Sequence, residues 1–273
     1  MPIYYIALLA LIQGLTEFLP ISSSGHLVLV HSAMGDNAAS NQSLLLDVAV
    51  HVGTLFSVLL YFRRDVMKML GGVRDLCRGV ANSDSARLNL YVVISSLPVI
   101  AAGFALHEFQ PSVLRTVEVM AWSTLIFGIV LYIADQKFPA TREVKDMTLR
   151  DSILIGLSQA LALIPGTSRS GITMTAARAL GFSRAEAARY SLLLAMVAIS
   201  GAGVIGGCDL IESGNAALSL EALIATALAF LSGLIAIHLM MKWLARASFT
   251  PFVIYRVILG IVLLVGIYSG VFA

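Results

Sequence analysis

Long apolar stretches alternate with short polar connections along the chain, and their lengths are informative. A helix that crosses a bilayer needs about 20 apolar residues. Six stretches qualify: 44–62, 88–106, 116–134, 190–207, 222–241 and 252–271. Two further stretches are apolar but broken. Residues 3–35 are interrupted by Pro20 and a Ser-Ser-Ser-Gly run, and residues 151–181 by Pro165-Gly166 and a Thr-Ser-Arg-Ser-Gly run. Irregular backbone is tolerated at membrane depth where it is buried in protein or lines a cavity. Each broken stretch therefore reads as a re-entrant helix–loop–helix hairpin that enters the membrane and returns. The pattern predicts an all-α polytopic membrane protein with six crossing helices and two such hairpins, forming a single membrane domain over 1–273.

Composition agrees. The chain is 58% hydrophobic and 12% charged, where a soluble domain has about 25% charged residues, and its mean hydropathy is +0.89. A net charge of +2 without a basic stripe excludes nucleic acid as a partner. Cys77 and Cys208 lie far apart and offer no disulfide or metal spacing. Residues 3–21 lack a preceding basic segment and contain Gln13 and Glu17, so they are not expected to be a cleaved signal peptide.

The basic residues encode topology. The connections 63–87, 135–150, 178–189 and 242–250 carry six, four, three and two Lys or Arg, fifteen of the eighteen in the chain. Arg256 sits just inside the last apolar stretch, near the same end, whereas the connections 31–43, 107–115 and 208–221 hold only Arg115. The positive-inside rule places the first set in the cytoplasm and the second outside. Alternation then works if both broken stretches return to the side they left, the first entering from outside and the second from inside. That is an inverted-topology repeat, over approximately 1–140 and 147–273, and its two loop tips should meet near the pseudo-two-fold axis.

The tips carry the chemistry. Gln13-Gly14-Leu15-Thr16-Glu17-Phe18-Leu19-Pro20-Ile21-Ser22-Ser23-Ser24-Gly25-His26 has a counterpart in Gln159-Ala160-Leu161-Ala162-Leu163-Ile164-Pro165-Gly166-Thr167-Ser168-Arg169-Ser170-Gly171, with Gln13 and Gln159, Ser22 and Ser168, Ser24 and Ser170, and Gly25 and Gly171 each 146 apart. Ionisable groups at bilayer depth are expensive and point to function. The second motif reads as an anion receptor. Thr167, Ser168 and Ser170 offer hydroxyls, Arg169 a guanidinium that can bind two phosphate oxygens, and Gly171 a close backbone approach before a helix opening at Ile172. Ser22, Ser24 and Gly25 lead likewise into a helix opening at His26 and join the same phosphate cradle. The first motif supplies reacting groups. Ser23 is the candidate nucleophile with His26 as base and then acid; His26 itself or water could attack instead. Glu17 can accept a proton, orient His26 or ligate a cation, and Gln13 lies four residues before it on one helix face.

Other polar positions read as structural. His51, with Asp47 one turn before it, is expected to be a polar helix contact; Ser95, Ser96 and Pro98 a packed kink; His31, His107 and His238 interfacial groups at helix ends; and Met67 to Leu76 an amphipathic segment on the inner leaflet.

The two motifs, with the length and the arrangement of spans, resemble the undecaprenyl-diphosphate phosphatase family, also called bacitracin-resistance proteins, over essentially the whole chain. The resemblance implies a bacterial inner-membrane hydrolase facing the periplasm. It would convert undecaprenyl diphosphate to undecaprenyl phosphate and inorganic phosphate, recycling the carrier for peptidoglycan synthesis. It also implies help from a divalent cation, Mg²⁺ or Ca²⁺, at Glu17 with Gln13, competition by bacitracin for the substrate, and a homodimer as a candidate assembly. Glu17, Ser23, His26, Ser168 and Arg169 map onto residues regarded as functional in the family. Gln13 departs from the pattern: many members have Glu there, and an amide cannot act as a base. The rival reading is a lipid-phosphate transporter or flippase using the same cradle, since inverted repeats with broken helices also describe transporters.

Overall fold

The structure, a computed structural model, describes residues 2–33, 41–109, 116–213 and 216–270. These form eleven helices and, among the described residues, no strand: α1 (Ile3–Thr16), α2 (Ser23–Ala33), α3 (Asn41–Tyr61), α4 (Arg63–Cys77), α5 (Asp84–Phe109), α6 (Val117–Lys137), α7 (Leu149–Ala160), α8 (Arg169–Ala179), α9 (Arg184–Ser213), α10 (Ala216–Leu244) and α11 (Thr250–Tyr268). Five are long and apolar enough to cross a membrane: α3, α5, α6, α10 and α11. The expected span 190–207 falls in the 30-residue α9, part of which has side chains outside the described residues. The expected connections 31–43, 107–115 and 208–221, with Arg115 and Cys208, also lie wholly or partly outside them, as does the His107 side chain.

The spanning helices bury one face and leave the other apolar. On α11, Ile254, Ile258, Ile261 and Val265 repeat at helical spacing and are exposed, while Val253, Arg256, Gly260 and Leu263 are buried. An apolar outer face is what a lipid solvent permits and water does not. Close approaches organise the interior. α1 packs against α10, and α7 against α5. A Cβ on Gly14 would lie 1.9 Å from Ser232 Oγ, and one on Gly156 would lie 2.8 Å from the Ser95 Cα. α6 packs on α11 and α8, and α3 on α9 and α10. Phe18, at the end of the first motif, shares one core with Met174 of α8, Leu193 of α9 and Ile237 of α10.

The helix boundaries echo the spacing of the motifs. α1 and α7 start 146 residues apart, and α2 and α8 both start and end 146 apart. α4 breaks the correspondence, because only residues 214 and 215 separate α9 from α10.

The edge that carries the basic connections is cross-linked by them. Asp135 accepts from Arg178 Nε at 3.2 Å, from Arg184 Nε at 2.6 Å and from the Phe249 backbone at 3.1 Å. Arg142 pairs with Asp151 at 2.5 Å, the residue that also completes a capping box with Thr148 at the start of α7.

Candidate active site

Each hairpin reverses through a backbone that favours few residue types. α1 ends at Thr16 with Glu17 at its C-cap. The chain turns through Pro20 and reaches Ser22 at φ 71°, after which α2 begins. In the second hairpin, Gly166 has φ 89° and Ser168 φ 70° before α8 begins. Ser22 and Ser168 are the non-glycine residues with positive φ among those described. Such conformations cost about 1–3 kcal/mol and cluster at functional sites. Both short helices open three residues earlier than expected, at Ser23 and Arg169 rather than His26 and Ile172. At the second, Ser168 Oγ accepts from Gly171 N at 3.1 Å and caps the helix. Ser23, Ser24, Arg169 and Ser170 therefore belong to first turns.

The two tips touch. Ser170 Oγ donates to Leu19 O at 2.9 Å. Arg256 of α11 is fully buried and donates to Pro20 O at 3.3 Å, Gly166 O at 2.9 Å, Thr124 O at 3.1 Å and Ser123 O at 3.4 Å. Its place in the second turn of α11 is where the sequence put it, and its role as a buried donor to both tips is new. A guanidinium can be buried when its fork of donors is met by acceptors, and reversed loops present such carbonyls. α6 supports the second tip, Ser123 donating to Pro165 O and Thr124 to Gly166 O. A Cβ on Gly166 would lie 2.2 Å from Met120 O and 2.3 Å from Ser123 Oγ, so only glycine fits there.

At the contact lies one carboxylate with donors from three elements. Glu17 Oε1 accepts from Arg169 Nη2 at 2.7 Å. Glu17 Oε2 accepts from Ser23 Oγ at 2.6 Å and from Gln13 Nε2 at 3.0 Å, with His51 Nε2 3.7 Å away. Glu17 is buried, and Arg169 and Ser23 are partly buried. The predicted Gln13–Glu17 pair is present. The pairing of Ser23 with His26 is not. The His26 ring turns away, its Nδ1 lying 2.7 Å from Ser22 O and its Nε2 against the Tyr255 hydroxyl, whose ring it stacks upon. A carbonyl only accepts, so Nδ1 carries the proton and Nε2 accepts from Tyr255.

Three donors and acceptors at the tips have no partner among the described residues although buried: Arg169 Nη1, Thr167 Oγ1 and Gln13 Oε1. The first two suit an anion. Ser22, Gly25, Ser168, Ser170 and Gly171 are buried around them, while Ser24 is exposed. No group of three or more His, Cys, Asp or Glu that could hold a metal occurs among the described residues. The Glu17 carboxylate with Gln13 Oε1 fits a hard cation that takes most of its ligands from substrate phosphates.

Three residues at the site escaped the sequence reading: His51, Tyr255 and Arg256. His51 was visible as a polar group in an apolar helix, one turn from Asp47, whose carbonyl its Nδ1 faces at 2.6 Å. His31, expected at an interface, is buried, with Tyr5 OH at 2.5 Å and Asp47 Oδ1 at 3.1 Å.

Comparison with known proteins places these residues in context. The model of the family described as Bacitracin resistance protein BacA matches residues 6–262. An undecaprenyl-diphosphatase of Dinoroseobacter shibae is 48% identical over 270 residues, spanning 98% of this chain and 100% of the relative. That of Ruegeria pomeroyi is 46% identical with the same coverage. That of Hahella chejuensis is 46% identical over 96% of this chain and 97% of the relative.

Proposed function

The chain belongs to the bacitracin resistance protein family, and from that premise we infer an undecaprenyl-diphosphatase that uses the contact between the two hairpin tips. The enzyme hydrolyses undecaprenyl diphosphate to undecaprenyl phosphate and inorganic phosphate, which underlies bacitracin resistance and returns the lipid carrier to peptidoglycan synthesis. The observation that carries the assignment of the site is the Glu17 carboxylate, which receives Ser23 from its own hairpin and Arg169 from the other.

In the proposed mechanism the terminal phosphate enters against Arg169, Thr167 and the start of α8. Arg169 Nη1 and Thr167 Oγ1 supply donors that no protein group uses, and the α8 N-terminus favours the negative charge. Glu17 takes the proton of Ser23 as Oγ attacks the terminal phosphorus. A bond forms from Oγ to phosphorus, the bond from phosphorus to the bridging oxygen breaks, and undecaprenyl phosphate leaves with its charge held by Arg169. Water then cleaves the phosphoserine, releasing inorganic phosphate. As Arg169 turns toward phosphate, His51 remains beside Glu17 Oε2 and keeps the carboxylate aligned with Ser23. His26 lies one helical turn from Ser23 with both ring nitrogens engaged, and only on release from Tyr255 would its Nε2 be free to accept a proton from the attacking water. Glu17 and Gln13 would hold a Mg²⁺ or Ca²⁺ ion, which when bound neutralises phosphate charge.

Hydrolysis is favoured over transport because a transporter needs the anion receptor but has no use for a serine bonded to a carboxylate. The paired starts of α1 and α7 and of α2 and α8, and the matching φ of Ser22 and Ser168, support an inverted repeat with two re-entrant hairpins. The exposed apolar faces and the basic connections support an inner-membrane protein whose site opens to the periplasm, where bacitracin competes by binding the same lipid diphosphate.

The test is inorganic phosphate release from undecaprenyl diphosphate by purified protein in detergent, where no membrane remains to be crossed. Wild type should release phosphate. Glu17→Gln and Ser23→Ala should be slower by about 10²–10⁴, the range of a lost proton-transfer partner. Folded wild type without release would overturn hydrolysis. Rapid quenching with no phosphate on Ser23 would sink the covalent route.

A further inference from the structure

α4 has no counterpart in the second half of the chain and takes no part in the site, yet its surface is unusual. It follows α3 after the single residue Phe62 and packs on α5. The contacts involve the first turns of α5: Gly72 lies against Ser85, and Asn89 Nδ2 donates to Met69 O at 2.7 Å. One face is thereby buried, with Asp65 and Gly72 at its centre. Asp65 fastens it further, accepting from Arg189 of α9.

The remaining surface carries apolar and basic residues side by side. At about 100° per residue, Val73, Cys77, Leu70 and Met67 follow one another around one arc. Met67, Leu70 and Val73 are 67%, 58% and 51% exposed, and Cys77 is exposed. Arg63 and Arg74 fall between Leu70 and Met67, and Arg78 at the C-cap, Arg64 and Lys68 follow beyond Met67; all five are exposed, and none forms an ion pair among the described residues. The acidic residues of the helix are engaged elsewhere, Asp65 by Arg189 and Asp75 by Ser83 Oγ at 2.6 Å. Uncompensated cations beside an exposed apolar arc, at the entry to a crossing helix, match a layer of anionic headgroups above acyl chains.

We propose that α4 is a docking surface for anionic phospholipid, with Met67, Leu70, Val73 and Cys77 facing the acyl boundary and the five cations facing headgroup phosphates. The native Cys77 provides the probe. The full chain with Cys208→Ser would be labelled at Cys77 with a nitroxide and reconstituted in vesicles of phosphatidylcholine alone or with phosphatidylglycerol added. With phosphatidylglycerol, collisions with oxygen should rise and collisions with a water-soluble nickel chelate should fall several-fold, and high salt should reverse both changes. In the double variant Arg74→Glu, Arg78→Glu, the dependence on phosphatidylglycerol should be lost. Phosphate release in detergent should be unchanged, which shows that the variant is folded. Equal accessibility of Cys77 in the two vesicles would overturn the proposal. So would a phosphatidylglycerol effect that survives high salt or the charge reversal, because the apolar arc alone would then account for the seating.

Discussion

The two hairpin tips share a sequence frame and differ in how firmly they are held. The second tip is buried and braced. Gly166, Thr167, Ser168 and Ser170 are buried, Ser123 and Thr124 hold its carbonyls from α6, and Ser168 caps its helix. The first tip is looser, with Ser24 exposed and Ser23 and His26 partly so. The difference fits the division of labour proposed above, with the second tip as anion receptor and Ser23 of the first as nucleophile. A receptor for a highly charged anion gains from donors fixed in advance, because no reorganisation is then needed when charge develops. A nucleophile must move toward phosphorus, and a less confined turn allows that motion.

Six substitutions would break or sharpen the contrast. The largest effect is expected at the receptor. Arg169→Ala should lower phosphate release by about 10²–10³, as when one preorganised charge donor is removed, whereas Ser24→Ala on the open tip should change it little. Comparable losses in an activity assay would refute the division. Next is the brace itself. Arg256→Met leaves the carbonyls of Pro20, Ser123, Thr124 and Gly166 without that donor, a loss of about 3 kcal/mol or more of stability, read as a lowered melting temperature in detergent. Gly166→Ala should lower stability by about 1–3 kcal/mol, because its φ and its contact with Met120 O both exclude a side chain. The smallest effect separates the paired serines. Ser22→Gly relieves a positive φ and should stabilise by up to about 1 kcal/mol, while Ser168→Gly also forfeits the cap and should be close to neutral. Equal melting shifts for the two would mean that the cap adds nothing.

Much of this was legible in the sequence because its signals are local. Apolar runs of spanning length marked α3, α5, α6, α10 and α11, and Pro20 and Pro165-Gly166 marked the turns. The four-residue spacing of Gln13 and Glu17 placed them on one face, as helical geometry requires. What stayed hidden depends on how turns aim side chains. A serine three residues before a histidine suggested a nucleophile and its base by residue type, with the helix expected to open only at His26. The positive φ of Ser22 instead swings Ser23 toward Glu17, and the His26 ring folds back on the Ser22 carbonyl. The role of Arg256 was hidden for a related reason. Counting residues from a helix end locates an arginine along an axis but cannot show that two distant loops bring acceptors to it. His51 looked like an ordinary helix contact because its neighbour Glu17 comes from another helix.

The Arg256 clamp also has a consequence for the order of biosynthesis. Both motifs leave the ribosome well before α11 does, and until Arg256 arrives the carbonyls of Pro20 and Gly166 lack the guanidinium that binds them together. A nascent chain can thus carry both motifs in unassembled form. α11 then acts as a keystone, closing the contact between the two tips only once it has packed on α6.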